Sequence, residues 1–148
     1  MWKGGRPPAP SLLRLSAAAV LVLLLVPAAW SARTRASYSF GRIGGNIAPF
    51  TVRIAADGSV SSSGPVRPTR RRVGAAALAA LARIVVEQRF FSLPTPIRCA
   101  GTLPDVASNT ATVKLATRER TVVVHGDCSA RFRRVYNALA GATGAQKI

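Results

Sequence analysis

The stretch AAALAALARIVVEQRFFSLP, residues 75–94, holds the clearest helix signal in the chain and the point where that helix must end. Its aliphatic residues have the i, i+3, i+4, i+7 spacing of one apolar helix face: Leu78, Leu81, Ala82 and Val85. The pattern predicts an amphipathic helix over residues 75–88. Pro94 closes the region, because proline lacks the amide proton of a helical hydrogen bond and disfavours helical geometry in the residue before it.

Two adjacent phenylalanines, Phe90 and Phe91, stand at the exit of this helix, directly before a loop that contains Pro94 and Pro96. The apolar face of the helix leads towards them, so at least one ring is expected to continue into a core between the helix and a sheet. We therefore interpret the pair as packing residues rather than as a recognition motif.

The segments on both sides of the helix are typical of β-strands. Apolar and polar residues alternate there with the period of two that places one set on the core side of a sheet. Five strands are predicted, at residues 36–40, 50–55, 59–63, 109–116 and 121–125; the first, second and fourth alternate in this way, the third is expected from the hairpin before it, and the fifth from its β-branched residues. Asp57-Gly58 predicts a tight hairpin between the second and third, since both residues tolerate positive φ angles. Residues 117–120 predict a hairpin between the last two.

A second helix is predicted near the C-terminus, with Ser129 as its N-cap. Its apolar residues again share one helical face: Phe132, Val135, Tyr136 and Leu139. The predicted order is therefore β-β-β-α-β-β-α. This order is typical of an α+β domain, with a small, largely antiparallel sheet and two helices on one face.

Residues 1–31 have the pattern of a secretory signal peptide, in which basic residues precede the apolar run AAAVLVLLLV at residues 17–26. An uncleaved N-terminal membrane anchor is the alternative, although the run is shorter than the roughly 20 residues that span a bilayer. We therefore expect a secreted or extracytoplasmic protein in which residues 32–148 form a single domain.

Cys99 and Cys128 are the only cysteines of the chain. An even count in an exported chain favours a disulfide over free thiols. Cys99 precedes the hairpin of the last two predicted strands and Cys128 follows it, so antiparallel pairing brings them close together. A bridge that closes a loop of about 30 residues contributes roughly 3 to 4 kcal/mol to stability on the chain-entropy model.

Side chains suited to catalysis are few. His125 is the only histidine, and Asp127 could share its face only if the strand continued through both residues. The spacing identifies no serine activated by this pair, so we expect no enzymatic activity. Cys99, His125 and Cys128 also lack the short spacings of zinc sites, so neither a metal nor another cofactor is predicted.

The chain is strongly basic, with 21 Lys and Arg residues against 5 Asp and Glu and a net charge of +16. Removing the signal segment takes away three basic residues and no acid, which leaves +13. Two clusters of arginines stand out: Arg70, Arg71 and Arg72, and Arg131, Arg133 and Arg134. No recognition helix or aromatic stacking surface accompanies them, which disfavours nucleic acid as the partner. In an exported protein they would meet anionic cell-envelope polymers or lipid headgroups, or would form only a solvated surface.

Several short motifs together resemble emfourin, a small protein inhibitor of thermolysin-like zinc metalloproteases. They are the pair Gly44-Gly45, the helix exit Phe90-Phe91-x-Leu93-Pro94, the dipeptide Pro104-Asp105 and the strands TATVKL and RTVVVH, and the similarity runs over residues 38–142. The chain departs from that family in its signal segment, its cysteine pair, its arginine tract and its basic balance. The resemblance implies a compact α+β domain that blocks a protease cleft without catalysis.

If the resemblance extends to function, a loop held on the sheet would occlude the active-site cleft of a secreted metalloprotease. The candidate residues are Gly44, Gly45, Asn46 and Ile47, with Asp105 as a carboxylate that could approach the zinc. The competing interpretation is structural: the two glycines turn the chain and Asp105 caps a turn. A different function also stays open, namely a cell-envelope binding module that uses the two arginine clusters.

Overall fold

The computed structural model describes Met1 and residues 36–145 of the 148-residue chain. The predicted signal peptide, apart from Met1, lies outside the described residues. From Ala36 onward the described chain belongs to one compact unit.

Six strands form one sheet in the order β3-β2-β1-β5-β6-β4. Their bounds are β1 Ala36–Ile43, β2 Phe50–Ile54, β3 Val60–Ser63, β4 Ile97–Arg98, β5 Ser108–Leu115 and β6 Arg118–His125. All neighbouring strands are antiparallel except β4 and β6, which are parallel. Two helices, α1 Ala75–Glu87 and α2 Ala130–Thr143, follow β3 and β6 in sequence. The predicted α+β class is confirmed.

The core lies between the two helices and one face of the sheet, because the alternating strand residues place their apolar members on that side. Tyr38 and Phe40 of β1 are buried there, as are Leu81 and Val85 of α1. The α2 residues that were predicted to share one apolar face are buried in the same cluster: Phe132, Val135, Tyr136 and Leu139. Each helix packs on the sheet with one face only, and this explains why its apolar residues have the spacing of a single helical face.

The helix exit is a short 3-10 turn at Phe90–Ser92. Phe90 is fully buried, which confirms that one of the two rings enters the core. Phe91 is half-buried and packs edge-to-face against Phe90, and the guanidinium of Arg118 lies 4.5 Å from the centre of its ring. Arg131 of α2 donates hydrogen bonds of 2.7 Å to the carbonyls of Gln88 and Arg89. The turn is thus fastened to both β6 and α2.

The N-cap of α2 is Ser129, as predicted, and its hydroxyl accepts from the backbone N–H of Phe132 at 3.4 Å. At the other end Gly144 takes the left-handed conformation, with φ of 69°, that closes many helices. The sequence therefore located the start of this helix, whereas its C-terminal end was not predicted and its buried face continues to Thr143.

The first hairpin lies at the predicted place, but its turn differs from the prediction. Only Gly58 has a positive φ there, 83°, and Asp57 does not. The N–H of Ala55 bonds to the carbonyl of Ser59 at 2.9 Å, so the connection has three residues instead of a two-residue Asp-Gly turn. Ser59 donates its hydroxyl and its backbone N–H to the Asp57 carboxylate, and these bonds, helped by Arg72, lower the pKa of Asp57.

The strands also differ from the prediction in three ways. β1 continues through Gly41 to Ile43, which the sequence assigned to a loop, because it pairs with β2 on one side and with β5 on the other. The hairpin between β5 and β6 turns over Ala116 and Thr117 alone, with Ala116 at a φ of 52°. β4, which has only two residues, was missed because so short a segment has no period to read.

Candidate functional site

Two loops meet at one end of the sheet, because the antiparallel pairing of β1 with β5 puts the end of one strand beside the start of the other. The first is the β1–β2 loop, residues 44–49. The second is the β4–β5 loop, residues 99–107. Together they form what we call the loop pair.

The loop pair contains all five residues that the sequence proposed for partner binding. Asn46 donates its backbone N–H to the carbonyl of Asp105 at 3.1 Å, and its side-chain amide donates to the Asp105 carboxylate at 3.2 Å. Gly45, at a φ of 65°, lies so close that a Cβ atom would stand 2.5 Å from the Asp105 carbonyl oxygen. Gly44 also has a positive φ, 69°, but open space around its Cα. The two loops therefore fit each other through backbone contact that only glycine permits at position 45.

The loop pair and the residue that leads into it expose four large aliphatic side chains. Among the described residues six large hydrophobic side chains are exposed, and these four lie here: Ile43 at 43%, Ile47 at 40%, Leu103 at 65% and Val106 at 42%. The sequence prediction named only Ile47. The other three lie in or beside turns that contain glycine or proline, outside the predicted strands and helices. An aliphatic residue at such a position is not expected in the core, and this could have identified the three as exposed.

Asp105 gives this aliphatic surface one exposed acidic group. The whole chain has only 5 Asp and Glu residues, so a carboxylate at the tip of a loop is a distinctive feature of this end of the molecule. The resulting surface combines apolar contact area with a single anionic group.

The base of the β1–β2 loop is packed against α2. Gly41 has no room for a side chain, since a Cβ atom would lie 2.0 Å from the carbonyl oxygen of Phe50. The hydroxyl of Tyr136 donates to the Gly41 carbonyl at 3.3 Å, and burial raises the pKa of Tyr136 against the opposing effect of Arg42. Arg42 in turn donates from Nε to the side-chain oxygen of Asn109 on β5 at 2.9 Å. These contacts fix the direction in which the loop leaves the sheet.

His125 supports the other loop. Its Nε2 lies 3.1 Å from the carbonyl oxygen of Leu103, and because a carbonyl only accepts, Nε2 carries the proton and donates it. Its Nδ1 lies 3.2 Å from the hydroxyl of Ser108. The sequence did not associate Ser108 with His125, because the contact depends on the register of β5 against β6. Asp127 is not part of this group, since β6 ends at His125 and Asp127 pairs with Arg133 at 2.8 Å.

A disulfide joins Cys99 to Cys128, with their Cα atoms 5.5 Å apart, and the predicted bridge is confirmed. The backbone N–H of Cys99 also donates to the carbonyl of His125 at 2.9 Å. The first residue of the β4–β5 loop is therefore tied both to the end of β6 and to the turn before α2. Over residues 36–145 no cluster of three or more His, Cys, Asp or Glu side chains could hold a metal ion.

The two predicted arginine clusters lie at opposite ends of α2. The N–H of Arg70 bonds to the carbonyl of Thr143, the last residue of the helix, whereas Arg131 and Arg133 stand in its first turn. A helix of this length spans about 20 Å. Several of the guanidinium groups are also engaged within the fold: Arg70 with the Ala142 carbonyl, Arg72 with Asp57, Arg131 with the helix exit and Arg133 with Asp127. The structure does not bring the clusters together into one patch.

No family model matches the chain, and no curated protein matches it either. Within the described part of the chain, neither helix has the length and apolar character needed to cross a membrane.

Proposed function

We propose that this chain is an exported, non-enzymatic domain that inhibits a secreted thermolysin-like metalloprotease by placing the loop pair in its active-site cleft. The observation that carries the proposal is that the two loops are hydrogen-bonded to each other and, together with Ile43 at the end of β1, expose four aliphatic side chains and the carboxylate of Asp105 at one end of the sheet. The resemblance to emfourin supplies the class of target. The Cys99–Cys128 disulfide supports export, because such bridges persist in oxidising compartments.

Inhibition by a loop requires that the loop hold its shape before it binds, because ordering on binding would offset the energy gained. Here the β1–β2 loop is held by Asp105, and the β4–β5 loop by His125 and the disulfide. Ile47 and Leu103 would occupy apolar subsites of the cleft, where burial of aliphatic surface favours association. Asp105 would face the catalytic zinc of the protease, a cation that accepts carboxylate ligands.

The Ser108–His125 contact does not require a catalytic role in this proposal. A serine hydroxyl beside an imidazole is half of a nucleophile and base pair. The imidazole is nevertheless bound on its other side to the carbonyl of Leu103, which belongs to the loop that it supports. We assign the pair to the positioning of Leu103.

The test is a titration of thermolysin by the purified full-length chain, with cleavage of a peptide substrate as the readout. We expect inhibition that weakens about tenfold or more for Leu103→Ser, because truncating a central aliphatic contact typically costs more than 1 kcal/mol of binding energy. Val86→Ser is the matched control, since Val86 is 67% exposed on α1, close to the 65% of Leu103, and lies outside the loop pair. Absence of inhibition at micromolar concentration, or equal effects of the two substitutions, would refute the proposal.

A cell-envelope binding module remains the second candidate. Arg71 and Arg134 favour it, because within the described residues neither guanidinium has a partner. We expect such a module to be retained on vesicles of an anionic lipid or on an anionic cell-wall polymer in low salt, and to lose retention when residues 70–72 are neutralised together. If retention is unchanged in this variant, the cluster of Arg70, Arg71 and Arg72 is not the binding surface. The distance between the two clusters makes this candidate the weaker one.

A further inference from the structure

The face of the sheet opposite the helices carries a concave polar surface. Within residues 36–145 the helices pack on the other face of the sheet, so the outward-facing side chains on this face are exposed or half-buried. The trough is lined by Ser37, Ser39, Arg53, Ser61, Thr112, Lys114, Glu119 and Thr121, with Tyr38, Ile54 and Ala55 along its floor. Tyr38 and Ile54 are 3% and 0% exposed, so neither offers its side chain to a ligand. The right-handed twist of the strands gives such a face its curvature.

One row of residues crosses this trough from strand to strand. The strand registers place Ser61, Arg53, Ser39, Thr112 and Thr121 side by side on β3, β2, β1, β5 and β6. Adjacent strands are about 4.8 Å apart, so the row extends over about 19 Å. Four of its five members carry a hydroxyl group, and those of Thr112 and Thr121 lie 2.8 Å apart. The row therefore offers regularly spaced donors and acceptors to an elongated polar ligand.

Arg53 is the one member of the row that carries a charge. Its side chain is exposed and has no hydrogen-bond or acidic partner among the described residues. The nearby Lys114 and Glu119 form a salt bridge, with Lys114 Nζ 3.8 Å from Glu119 Oε2. The trough therefore has one uncompensated guanidinium, a group whose fork of donors matches a carboxylate, phosphate or sulfate.

We propose that this face binds an acidic polysaccharide, with its sugar hydroxyls on the Ser and Thr row and one acidic group on Arg53. Other ligands fit the surface less well. A protein partner would need apolar contact area, and the lining has no exposed aliphatic or aromatic side chain larger than alanine. Single-stranded nucleic acid would need aromatic stacking platforms, and a membrane surface would need several cations. The site is separate from the loop pair and does not depend on protease inhibition.

The test is a titration of the isotopically labelled full-length chain, followed by amide chemical shifts. The probes are an oligogalacturonate, a sulfated oligosaccharide and a neutral malto-oligosaccharide of similar length. We expect shifts at Ser39, Arg53 and Thr112 with either acidic probe, and binding of the neutral probe about tenfold or more weaker. The two acidic arms distinguish carboxylate from sulfate as the preferred group.

Arg53→Gln is expected to weaken acidic-probe binding about tenfold or more, and Arg53→Lys to restore only part of it, because lysine lacks the planar fork. Arg89→Gln is the matched control: it removes the same charge from an exposed arginine that follows α1, the helix side of the sheet, and whose side chain has no partner among the described residues, so it should leave binding unchanged. Equal binding of neutral and acidic probes, no shifts in the row, or equal losses for the Arg53 and Arg89 variants would overturn the proposal. Inhibition of thermolysin should be the same for Arg53→Gln and for the unmodified chain, so the two proposals fail independently.

Discussion

Replacing Phe90 by alanine tests the packing at the helix exit. The Phe90 side chain has 0% exposure and packs edge-to-face with Phe91, with the ring centres 6.3 Å apart. Removing a fully buried phenylalanine side chain costs about 3 to 5 kcal/mol, from lost burial and from the cavity that remains. Domains of this size have about 5 to 15 kcal/mol of stability in total. We expect Phe90→Ala to lower the urea midpoint by about 2 M, taking a denaturant slope of about 2 kcal/mol per M.

Phe91→Ala is the internal comparison, because the neighbouring ring is only half-buried. Its loss removes part of a buried surface and the contact with the Arg118 guanidinium, which together should cost about 1 to 2 kcal/mol. The assay is equilibrium unfolding in urea with the disulfide intact, and Phe90→Leu serves if the alanine variant does not fold. A cost for Phe91→Ala equal to or greater than that for Phe90→Ala would refute the assignment of the two rings.

Three further changes test the loops and turns. Gly45→Ala should lower the free energy of unfolding in urea by about 1 to 3 kcal/mol and weaken thermolysin inhibition, because its Cβ would collide with the Asp105 carbonyl. Gly44→Ala, in open space, should lower it by about 1 kcal/mol. Equal losses for the two variants would contradict the close contact of the two loops. Replacing both cysteines by serine should lower the unfolding free energy by about 3 to 4 kcal/mol, since the bridge closes a separation of 29 residues; an unchanged urea midpoint would contradict this. The folded-state pKa of Asp57 lies below its ordinary value of 3.8, so its stabilisation is present above that pH and is lost as the pH falls through the lowered pKa. Asp57→Asn should therefore destabilise the chain near neutral pH and match it in strong acid, as measured by thermal unfolding; an equal deficit at both pH values would contradict this sign.

Much of the fold could be predicted because its signals are local. The alternation in β5, the β-branched run in β6, the two apolar helix faces and the N-cap at Ser129 each depend on a few neighbouring residues. The disulfide was also predictable, because the hairpin of β5 and β6 leaves Cys99 and Cys128 at the same end. These inferences needed only periodicity, capping and the geometry of antiparallel pairing.

The errors fall where pairing with distant strands overrides local preference. Gly41 belongs to β1 because β2 and β5 hold it from both sides, although glycine is disfavoured in strands. β4 exists because the chain leaving Phe90–Ser92 passes along the edge of β6, and no local signal marks its two residues. The turn at Ala116 has a positive φ without glycine or asparagine, so the length of that hairpin could not be read from composition.

The sequence by itself determined the α+β class, the two helices, the disulfide and the loops that were candidates for a site, since each depends on residues close together or on a simple hairpin. Only the tertiary structure decided that residues 44–47 and Asp105 contact each other, and that Ser108 supports His125 beneath Leu103. It also decided that Arg53 stands in a row of hydroxyl groups from four other strands. The physical reason is register: which side chains face one another across a sheet is set by long-range backbone pairing, and a shift of one residue would send every one of them to the opposite face.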